Sequence, residues 1–374
     1  MNITILEIED REQWNNFLLR HPQGHLLQSY EWGELNRYLG RNVYRLGAFQ
    51  DDELVGTMQL VVAQVSLPLP KLRPNWLYCS RGPTLAQPDR LVLTRLLAYA
   101  ENIARQEHAV VLRVEPNIAD DDSGQDAWLA LYHKVGFQTN PSSVHGRRSW
   151  VLDVRPDAET LLAQFQPQWR QYVLSAGQQE VVVRSSTKES DFDVYYELLR
   201  VASERDGIEL FSKAYHRELL RRFAQTNDAA ILLAEQRGTP VAAKLLVRFG
   251  SWCWDMFGAA SEQGHDLHVD YLLQYHCIQW AQRSGCHYFD FRTIPEVLSP
   301  VEDMWDDYEY KQGFGGFSRL HMPTQDYVYQ PLIYMPWRKL TEMRYDEQRH
   351  KERQLLDGFV TQSTASQEEL YSEI

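Results

Sequence analysis

Tyr44–Val61 reads YRLGAFQDDELVGTMQLV, and Ala230–Val247 reads AILLAEQRGTPVAAKLLV. The two stretches align without a gap at an offset of 230 − 44 = 186 residues. Six of the aligned pairs are identical, where average composition predicts about one. Each copy has two apolar runs separated by a polar turn, Asp51-Asp52 or Arg237-Gly238, which predicts a β-hairpin. The repeat therefore predicts two like domains, with a ligand-binding cleft at the seam between them.

Composition limits the classes of function. The chain has 374 residues, 44% of them hydrophobic, which predicts about two domains with packed cores. A net charge of −13 argues against a protein that coats DNA or another nucleic acid, because that affinity depends on neutralising phosphates. The four cysteines form no CxxC pair, so we expect neither a metal site nor a disulfide framework. With no secretion signal and no apolar run of membrane-spanning length, we expect a cytoplasmic protein.

The repeat extends beyond the hairpin. Apolar residues at helical spacing predict helices over 91–107 and 267–283, and a strand follows each of them, over 109–115 and 286–291. Third strands are predicted over 76–79 and 251–257. Further helices are predicted before the hairpins, over 11–19, 31–39, 158–176, 191–205 and 214–224.

The polar stretch 141–150 is the best candidate for a domain boundary. We therefore predict a first domain over 1–148, rejoined by 323–337, and a second domain over 149–322. Residues 338–374 are predicted to form a charged helix, 340–359, followed by a polar tail. Residues 326–333 are typical of a strand interrupted by Pro331.

The order of the predicted elements in each copy, strand, tight turn, strand, helix and strand, is similar to the central part of the GNAT acyltransferase fold. The resemblance implies an α/β fold with mixed sheets and two GNAT-like domains in tandem. GNAT enzymes that use acetyl-CoA hold its pyrophosphate on the N–H groups of a glycine-rich loop before the central helix. The corresponding loops here, Ser80–Arg90 (SRGPTLAQPDR) and Gly258–His268 (GAASEQGHDLH), lack that motif. We therefore expect the fold without its usual donor.

Five short segments occur in an order that carries a more specific resemblance. They are Leu27-Gln28-Ser29 with Trp32-Gly33, Tyr78 with Arg81-Gly82-Pro83, Arg113-Val114-Glu115-Pro116, Tyr288-Phe289-Asp290-Phe291, and Tyr310-Lys311 with Phe314-Gly315-Gly316. On these segments the chain resembles the Fem family of peptidoglycan bridge aminoacyltransferases. The resemblance implies transfer of an amino acid from aminoacyl-tRNA to an amine of the stem peptide, in cross-bridge formation. The acceptor is lipid II or its UDP-linked precursor, which allows transient association with the inner membrane surface, and no cofactor is implied.

The resemblance and the chemistry together select candidate residues. Aminolysis of an ester passes through an oxyanion, and we assign Lys311 to positioning the acceptor and stabilising that charge; a solvated surface lysine is the alternative. Glu115 and Asp290 end equivalent strands, so either is a candidate general base, although a structural carboxylate or substrate-assisted proton transfer stays open. The predicted substrate-binding residues are Trp32, Asn36, Tyr78, Arg81, Gly82, Pro83, Tyr215, Trp254, Phe257, Arg292, Tyr310, Phe314 and Gly315.

The chain also departs from the family pattern. Asn36 and Phe211 stand where a lysine and an arginine are common, which favours a lipid-linked or other acceptor over a UDP-linked one. The long helical arm of some members is absent after Val247, so tRNA docking must differ here if that arm helps to dock tRNA. The basic stripe Lys213, Arg217, Arg221 and Arg222 is one candidate for tRNA phosphates, against a solvated helix face. Alternatives to the leading function are an N-acyltransferase with another donor and a non-catalytic binding module.

Overall fold

The computed structural model describes residues 2–64, 74–120, 124–207, 209–302 and 304–339. A 3₁₀ turn, Leu26–Gln28, lies between the first two helices. The elements of the first half are β1 (Ile3–Glu7), α1 (Arg11–Arg20), α2 (Tyr30–Tyr38), β2 (Val43–Gln50), β3 (Glu53–Gln64), β4 (Asn75–Arg81), β5 (Thr84–Leu85), α3 (Arg90–Gln106), β6 (Ala109–Pro116), α4 (Gln125–Lys134) and β7 (Gln138–Asn140). The elements of the second half are β8 (Arg148–Asp153), α5 (Ala158–Gln164), α6 (Pro167–Gly177), β9 (Val181–Ser186), α7 (Glu189–Asp206), α8 (Lys213–Ala224), β10 (Ala229–Gln236), β11 (Thr239–Phe249), β12 (Trp252–Ala260), α9 (Glu262–Asp266), α10 (Val269–Arg283), β13 (Tyr288–Thr293), α11 (Trp305–Gln312), β14 (Phe317–Leu320) and β15 (Thr324–Val328).

The strands form two mixed sheets of the same design. The first sheet has the order β1-β2-β3-β4-β6-β15-β7, with β5 paired to β3. The second has the order β9-β10-β11-β12-β13-β8-β14. Each sheet has one parallel pair, β4 with β6 and β12 with β13, and its other pairs are antiparallel. The predicted mixed α/β fold with two like units is confirmed.

The two hairpins share their register as well as their sequence pattern. Val43 pairs with Val61 in the first hairpin, and Ala229 pairs with Val247 in the second, at the same offset of 229 − 43 = 186 residues. Both ladders shift register at the equivalent place, after Ala48 and after Ala234. Both turns place two residues at positive φ, which matches the twist of a two-residue hairpin loop. The internal repeat is therefore a structural repeat, down to one irregularity in the ladder.

The turn residues of the two hairpins differ, and this allows a test. Asp52 has φ +68°, whereas the equivalent Gly238 has φ +80° without the steric cost of a Cβ. We expect Asp52→Gly to raise the free energy of unfolding by about 0.5–1 kcal/mol, measured by urea denaturation. Gly238→Ala is the converse control, because its Cβ would meet nothing within 4 Å and only the backbone would be strained. Equal stability of both variants and the parent would show that the left-handed backbone at these two turn positions has no steric cost.

The second half of the chain gives one strand to the first sheet. The second half begins with β8, which lies in its own sheet between β13 and β14. β15 follows β14 but lies in the first sheet, between β6 and β7. A buried ion pair fixes this returning strand, since Arg113 donates to both oxygens of Asp326 at 2.8 Å. Asp326 is fully buried and also accepts from Asn140 and Tyr334, both at 2.7 Å.

Three local predictions differ from the structure or lie outside it. The predicted helix 158–176 is two helices, because Pro167 lacks an N–H donor and disfavours helical geometry in the residue before it. The predicted strand 326–333 is wrong beyond Val328, since a helix over 331–339 begins at Pro331, where a first turn tolerates proline. The predicted helix 340–359 and the tail lie outside the described residues. As predicted, no arm follows Val247, because only Gly250 and Ser251 separate β11 from β12.

Buried side chains of both halves pack together beside the seam. Leu26 and Leu35 of the first half belong to the same buried cluster as Phe192, Leu219 and Trp254 of the second half. This packing brings the 3₁₀ turn and α2 against the second sheet, and it positions the cavity described below. Among the described segments, no helix has the length and apolar character needed to cross a bilayer.

Candidate functional site

A cavity of about 590 Å³ lies at the seam, and both halves line it. The inner wall is polar, with His25, Ser80, Arg81, Asp290 and Arg292. The mouth carries three exposed hydrophobic side chains, Leu39, Val144 and Phe211. Nine of the predicted site residues line this one cavity, namely Trp32, Asn36, Tyr78, Arg81, Tyr215, Trp254, Phe257, Asp290 and Arg292.

The cavity opens where two strands of the second sheet separate. β12 and β13 pair in parallel only from Trp252↔Tyr288 to Trp254↔Asp290. Beyond that point the side chains of Met256, Phe257, Arg292 and Thr293 line the opening. In the first sheet the equivalent strands stay paired to their ends, at Arg81↔Pro116. The repeat is therefore asymmetric at the place where it forms a cleft.

Asp290 has the geometry of a general base. It is 7% exposed, and its Oδ1 accepts a 2.6 Å hydrogen bond from the N–H of Arg292. Within the described part of the chain, Oδ2 has no hydrogen-bond partner and is not sealed from the cavity. Burial raises the pKa of Asp290, while Arg292, Arg81 and Lys311 oppose that rise. A raised pKa moves the carboxylate closer to the proton affinity that amine activation needs.

Glu115, the other candidate base, is fully occupied by the protein. Its Oε2 accepts from the hydroxyl of Tyr78 at 2.5 Å and from the N–H of His145 at 3.2 Å. Its Oε1 accepts from the N–H of Val144 at 2.6 Å and from Thr324 at 3.3 Å. The residue is 3% exposed and does not line the cavity. Its geometry therefore matches the structural alternative, in which it holds the cavity wall in place.

Three arginines line the cavity without a carboxylate partner. Arg41, Arg81 and Arg292 make no ion pair within 4.0 Å among the residues that the structure describes. Arg81 is buried and donates to the carbonyl of Gly146 at 2.8 Å, and the guanidinium of Arg292 donates to the sulfur of Met256 at 3.4 Å. Both have a left-handed backbone, with φ of +52° and +71°, a strain that concentrates at functional sites. The cavity is therefore cationic in a chain whose net charge is −13.

The remaining predicted residues lie behind the cavity wall. Lys311 donates to the carbonyl of Thr293 at 2.8 Å and pairs with Asp307 at 2.6 Å, so it supports a wall residue instead of lining the cavity itself. Tyr310 and Phe314 pack in the core of the second half. The glycines near Lys311 serve packing, since a Cβ on Gly315 would lie 3.3 Å from Gln164.

The loop glycine predicted near Arg81 also has a packing role. A Cβ on Gly82 would lie 2.5 Å from the side chain of Gln28, and neither Gly82 nor Pro83 lines the cavity. Gln28 in turn donates to the carbonyl of Ser80 at 2.7 Å. This segment therefore orients β4, whose last residues form part of the wall.

The basic stripe on α8 is neutralised by carboxylates. Lys213 pairs with Asp193 and Arg217 with Glu189, both at 2.6 Å. Arg221 and Arg222 both pair with Glu218, at 2.6 and 2.7 Å. The geometry thus favours the alternative of a solvated helix face, and it gives no support for a tRNA-binding stripe here.

Sequence reasoning missed two residues of the site, although a signal was present for each. His25 directly precedes the Leu27-Gln28-Ser29 segment and lines the cavity. Arg41 follows Asn36 by five residues, and Asn36 Oδ1 accepts from the Arg41 guanidinium at 2.8 Å. A cation is therefore present near the position where the family lysine is replaced.

A profile of the FemAB family matches residues 10–237, which is more than half of the chain. The chain belongs to the FemAB family. The predicted family is confirmed, and a profile of the acetyltransferase (GNAT) domain matches residues 164–312 of this FemAB protein. The family together with the acetyltransferase (GNAT) domain makes the protein an acyltransferase.

Two curated relatives of the FemAB protein are lipid II:glycine glycyltransferases. The one from Staphylococcus saprophyticus is 29% identical over 236 residues, which cover 61% of this chain and 55% of the relative. The one from Staphylococcus aureus strain USA300 is 27% identical over 396 aligned positions, which cover 86% of this chain and 92% of the relative. The chain thus spans about half of the first relative and most of the second.

Solved structures support the tandem fold. The crystal structure of FemX has a TM-score of 0.80 at 19% identity, covering 90% of this chain and 100% of that one. A tandem GNAT protein from the clavulanic acid biosynthesis pathway has a TM-score of 0.53 at 12% identity, covering 87% and 98%. At these identities the likeness establishes the fold alone.

The GNAT domain raises the question of acetyl-CoA, and the residues do not fit its pyrophosphate. In the first half, the carboxylate of Asp89 accepts from the N–H groups of Leu91 and Val92, at 2.7 and 3.1 Å, so it occupies the start of α3. In the second half, Asp270 lies in the first turn of α10, and its Oδ1 is buried. A carboxylate at each helix start repels the anion that the N–H groups would otherwise bind. No step of the mechanism below uses CoA.

Proposed function

We propose that this FemAB protein transfers an amino acid from aminoacyl-tRNA to an amine of a peptidoglycan precursor stem peptide, as a step of cross-bridge formation. The observation that carries the proposal is the cavity at the seam, where a buried carboxylate with one free oxygen lies among unpaired arginines. The family and the names of the glycyltransferase relatives support the reaction class. The role of tRNA as donor comes from the family resemblance.

The cations support an anionic acceptor. Lipid II and its UDP-linked precursor both carry a diphosphate and peptide carboxylates, and arginine binds such groups through paired hydrogen bonds. Arg41 lies at the mouth and Arg81 lies deep in the wall, so one extended anionic molecule can contact both. Asn36 holds Arg41, which offsets the loss of the lysine common in the family. The exposed apolar side chains at the mouth favour a lipid-linked acceptor held near a membrane surface.

In the proposed mechanism Asp290 removes the proton from the acceptor amine. The freed lone pair attacks the ester carbonyl of the aminoacyl donor, and the leaving ribose hydroxyl takes up a proton. Tyr78, Trp254 and Phe257 form walls that exclude water, which would otherwise hydrolyse the ester. Lys311 acts from behind Thr293 as a positioning residue, and its charge opposes the rise in the pKa of Asp290.

The test is a transfer assay with defined donors and acceptors. The purified protein is incubated with glycyl-, alanyl-, seryl- and other charged tRNAs, and with either lipid II in detergent or the UDP-linked precursor. We expect mass spectrometry to detect one added residue, with more product from lipid II. Failure with every charged tRNA would overturn the proposal. Turnover with an acyl-CoA would support another donor, and ligand binding without turnover would support a binding module.

Arg292→Gln is expected to raise the KM for the acceptor about 10–100-fold, with a smaller change in kcat. The reason is that a charge-assisted hydrogen bond contributes about 1.5–3 kcal/mol. Steady-state kinetics at fixed aminoacyl-tRNA would measure the effect. Arg200→Gln is the matched control, because Arg200 pairs with Glu197 and Glu204 on an exposed helix face. An unchanged acceptor KM in Arg292→Gln would remove this residue from the binding site.

A further inference from the structure

A hydrogen bond from the backbone fixes the imidazole of His25 in one tautomer. His25 precedes the 3₁₀ turn Leu26–Gln28 with an extended backbone, and its Nδ1 accepts a 3.0 Å hydrogen bond from the N–H of Leu27. Because an accepting nitrogen of a neutral imidazole carries no proton, the proton of this ring lies on Nε2. The ring packs against Trp254 with its centroid 4.9 Å away, which fixes its plane.

The other nitrogen of His25 is free and faces open space. His25 is 9% exposed, and it lines the large cavity together with Asp290. The same two residues line a smaller cavity of about 10 Å³ next to it, with Ser149 and Trp254. Within the described residues, Nε2 has no hydrogen-bond partner, yet it is not among the sealed polar atoms. Its N–H is therefore available to a molecule in the cavity.

The surroundings keep the ring neutral. Burial lowers the pKa of His25 well below its usual value, and Arg81 adds to the effect. His321, His145 and Arg319 also face the ring and lower the pKa further. No carboxylate is among the groups that shift the pKa of His25, so none of them raises it. At neutral pH the side chain is thus a hydrogen-bond donor and neither a cation nor a titrating base.

We propose that His25 donates its Nε2–H to the carbonyl oxygen of the transferred aminoacyl group and stabilises the oxyanion that forms there. This inference rests on the proposed function. The amine forms the C–N bond, and the carbonyl π electrons move to the oxygen that His25 contacts. Collapse of this intermediate breaks the C–O bond to the ribose, whose oxygen takes up the proton that Asp290 removed from the amine. A neutral donor in a cavity that excludes water stabilises such a charge without having to lose a proton.

Two substitutions separate the donor from the structural role of the ring. His25→Asn keeps an acceptor near the position of Nδ1 for the N–H of Leu27, but it lacks the distal donor. His25→Gln places an amide N–H near the position of Nε2 but weakens the turn. We expect His25→Asn to fold with unchanged Tm and to lose about 10²-fold in kcat at similar KM. We expect His25→Gln to have a lower Tm and to retain kcat within about tenfold of the parent.

Several outcomes would overturn the inference. Parental kcat in His25→Asn, or a loss confined to KM, would exclude stabilisation of the oxyanion. If the plot of kcat against pH loses a limb in His25→Asn, the ring of the parent titrates and is not a permanently neutral donor. In the parent, imidazole ¹⁵N chemical shifts between pH 5 and pH 8 must report a neutral ring with its proton on Nε2. The parental assay separates the two proposals, since absent transfer by the parent refutes the proposed function, and with it this role of His25.

Discussion

Replacing Asp290 with asparagine is expected to lower kcat for amino-acid transfer by about 10²–10⁴-fold, the usual contribution of a general base. The amide has the shape of the carboxylate and can still accept from the N–H of Arg292, but it cannot take a proton from the acceptor amine. Transfer should be measured as single-turnover product formation from lipid II and aminoacyl-tRNA. In the parent, the rate should rise with pH as Asp290 ionises, with a midpoint above that of an ordinary carboxyl group because burial raises its pKa.

The stability of Asp290→Asn separates a chemical role from a structural one. Folding raises the pKa of Asp290, so the folded state binds this proton more tightly than the unfolded state does. Stability therefore falls as pH rises through the interval between the two pKa values, and at neutral pH the ionised carboxylate opposes folding. We expect Asp290→Asn to have a Tm equal to or above that of the parent, and to lack the acid limb of the pH profile. Asp153→Asn, with its carboxylate paired to Arg155 at the surface, is the control. A large drop in Tm, or retained activity, would contradict the assignment.

Asp326→Ala is expected to lower the free energy of unfolding by about 3–5 kcal/mol, because it leaves the buried guanidinium of Arg113 without its counter-charge. Asp326 is fully buried and accepts from Asn140 and Tyr334 as well, so the loss also leaves these two donors unpaired. Urea denaturation followed by circular dichroism would measure the change. Both aromatic rings beside the guanidinium, Trp76 and Trp337, are apolar surfaces that cannot replace the carboxylate.

A double variant provides the control for Asp326. Arg113→Met combined with Asp326→Leu removes both charges, and an apolar pair of similar volume is often as stable as a buried ion pair. We expect the double variant to recover much of the stability lost in Asp326→Ala. A double variant that is less stable than Asp326→Ala would show that the contacts to Asn140 and Tyr334 dominate over the ion pair.

The repeat made the fold predictable. Each of the two stretches, 186 residues apart, has two apolar runs separated by a polar turn, and this pattern predicts a hairpin. Two such hairpins in one chain predict two like sheets. The predicted helices and strands around them follow from periodicity, which is a local property. The prediction of helices and strands was wrong at Pro167 and at Pro331. Each proline was placed inside a predicted element, whereas in the structure each begins a helix.

Two signals pointed to the site. Asp290 was predicted because it ends a strand beside the seam, whereas Tyr78 and Arg81 were predicted from the family segments, and all three line the cavity. Glu115 met the same criterion as Asp290, but its carboxylate is used by Tyr78 and by a loop that lies 29 residues further along the chain. The sequence does not reveal which of two equivalent strand ends is sealed, because this depends on long-range contacts. His25 and Arg41 lie near residues of the family segments, but that proximity does not place them in a cavity, which forms only when α2 and the 3₁₀ turn pack against the second sheet.

The return of β15 to the first sheet has a consequence for protein synthesis. The first sheet lacks the strand between β6 and β7 until Thr324–Val328 has been translated, although its other strands are made early. An N-terminal domain usually folds while the ribosome is still elongating the chain, but this one must leave two strand edges and Arg113 without partners until almost all of the described chain has been made. The half that is synthesised first is therefore completed last, and the nascent chain is most exposed to aggregation and to chaperones during that delay.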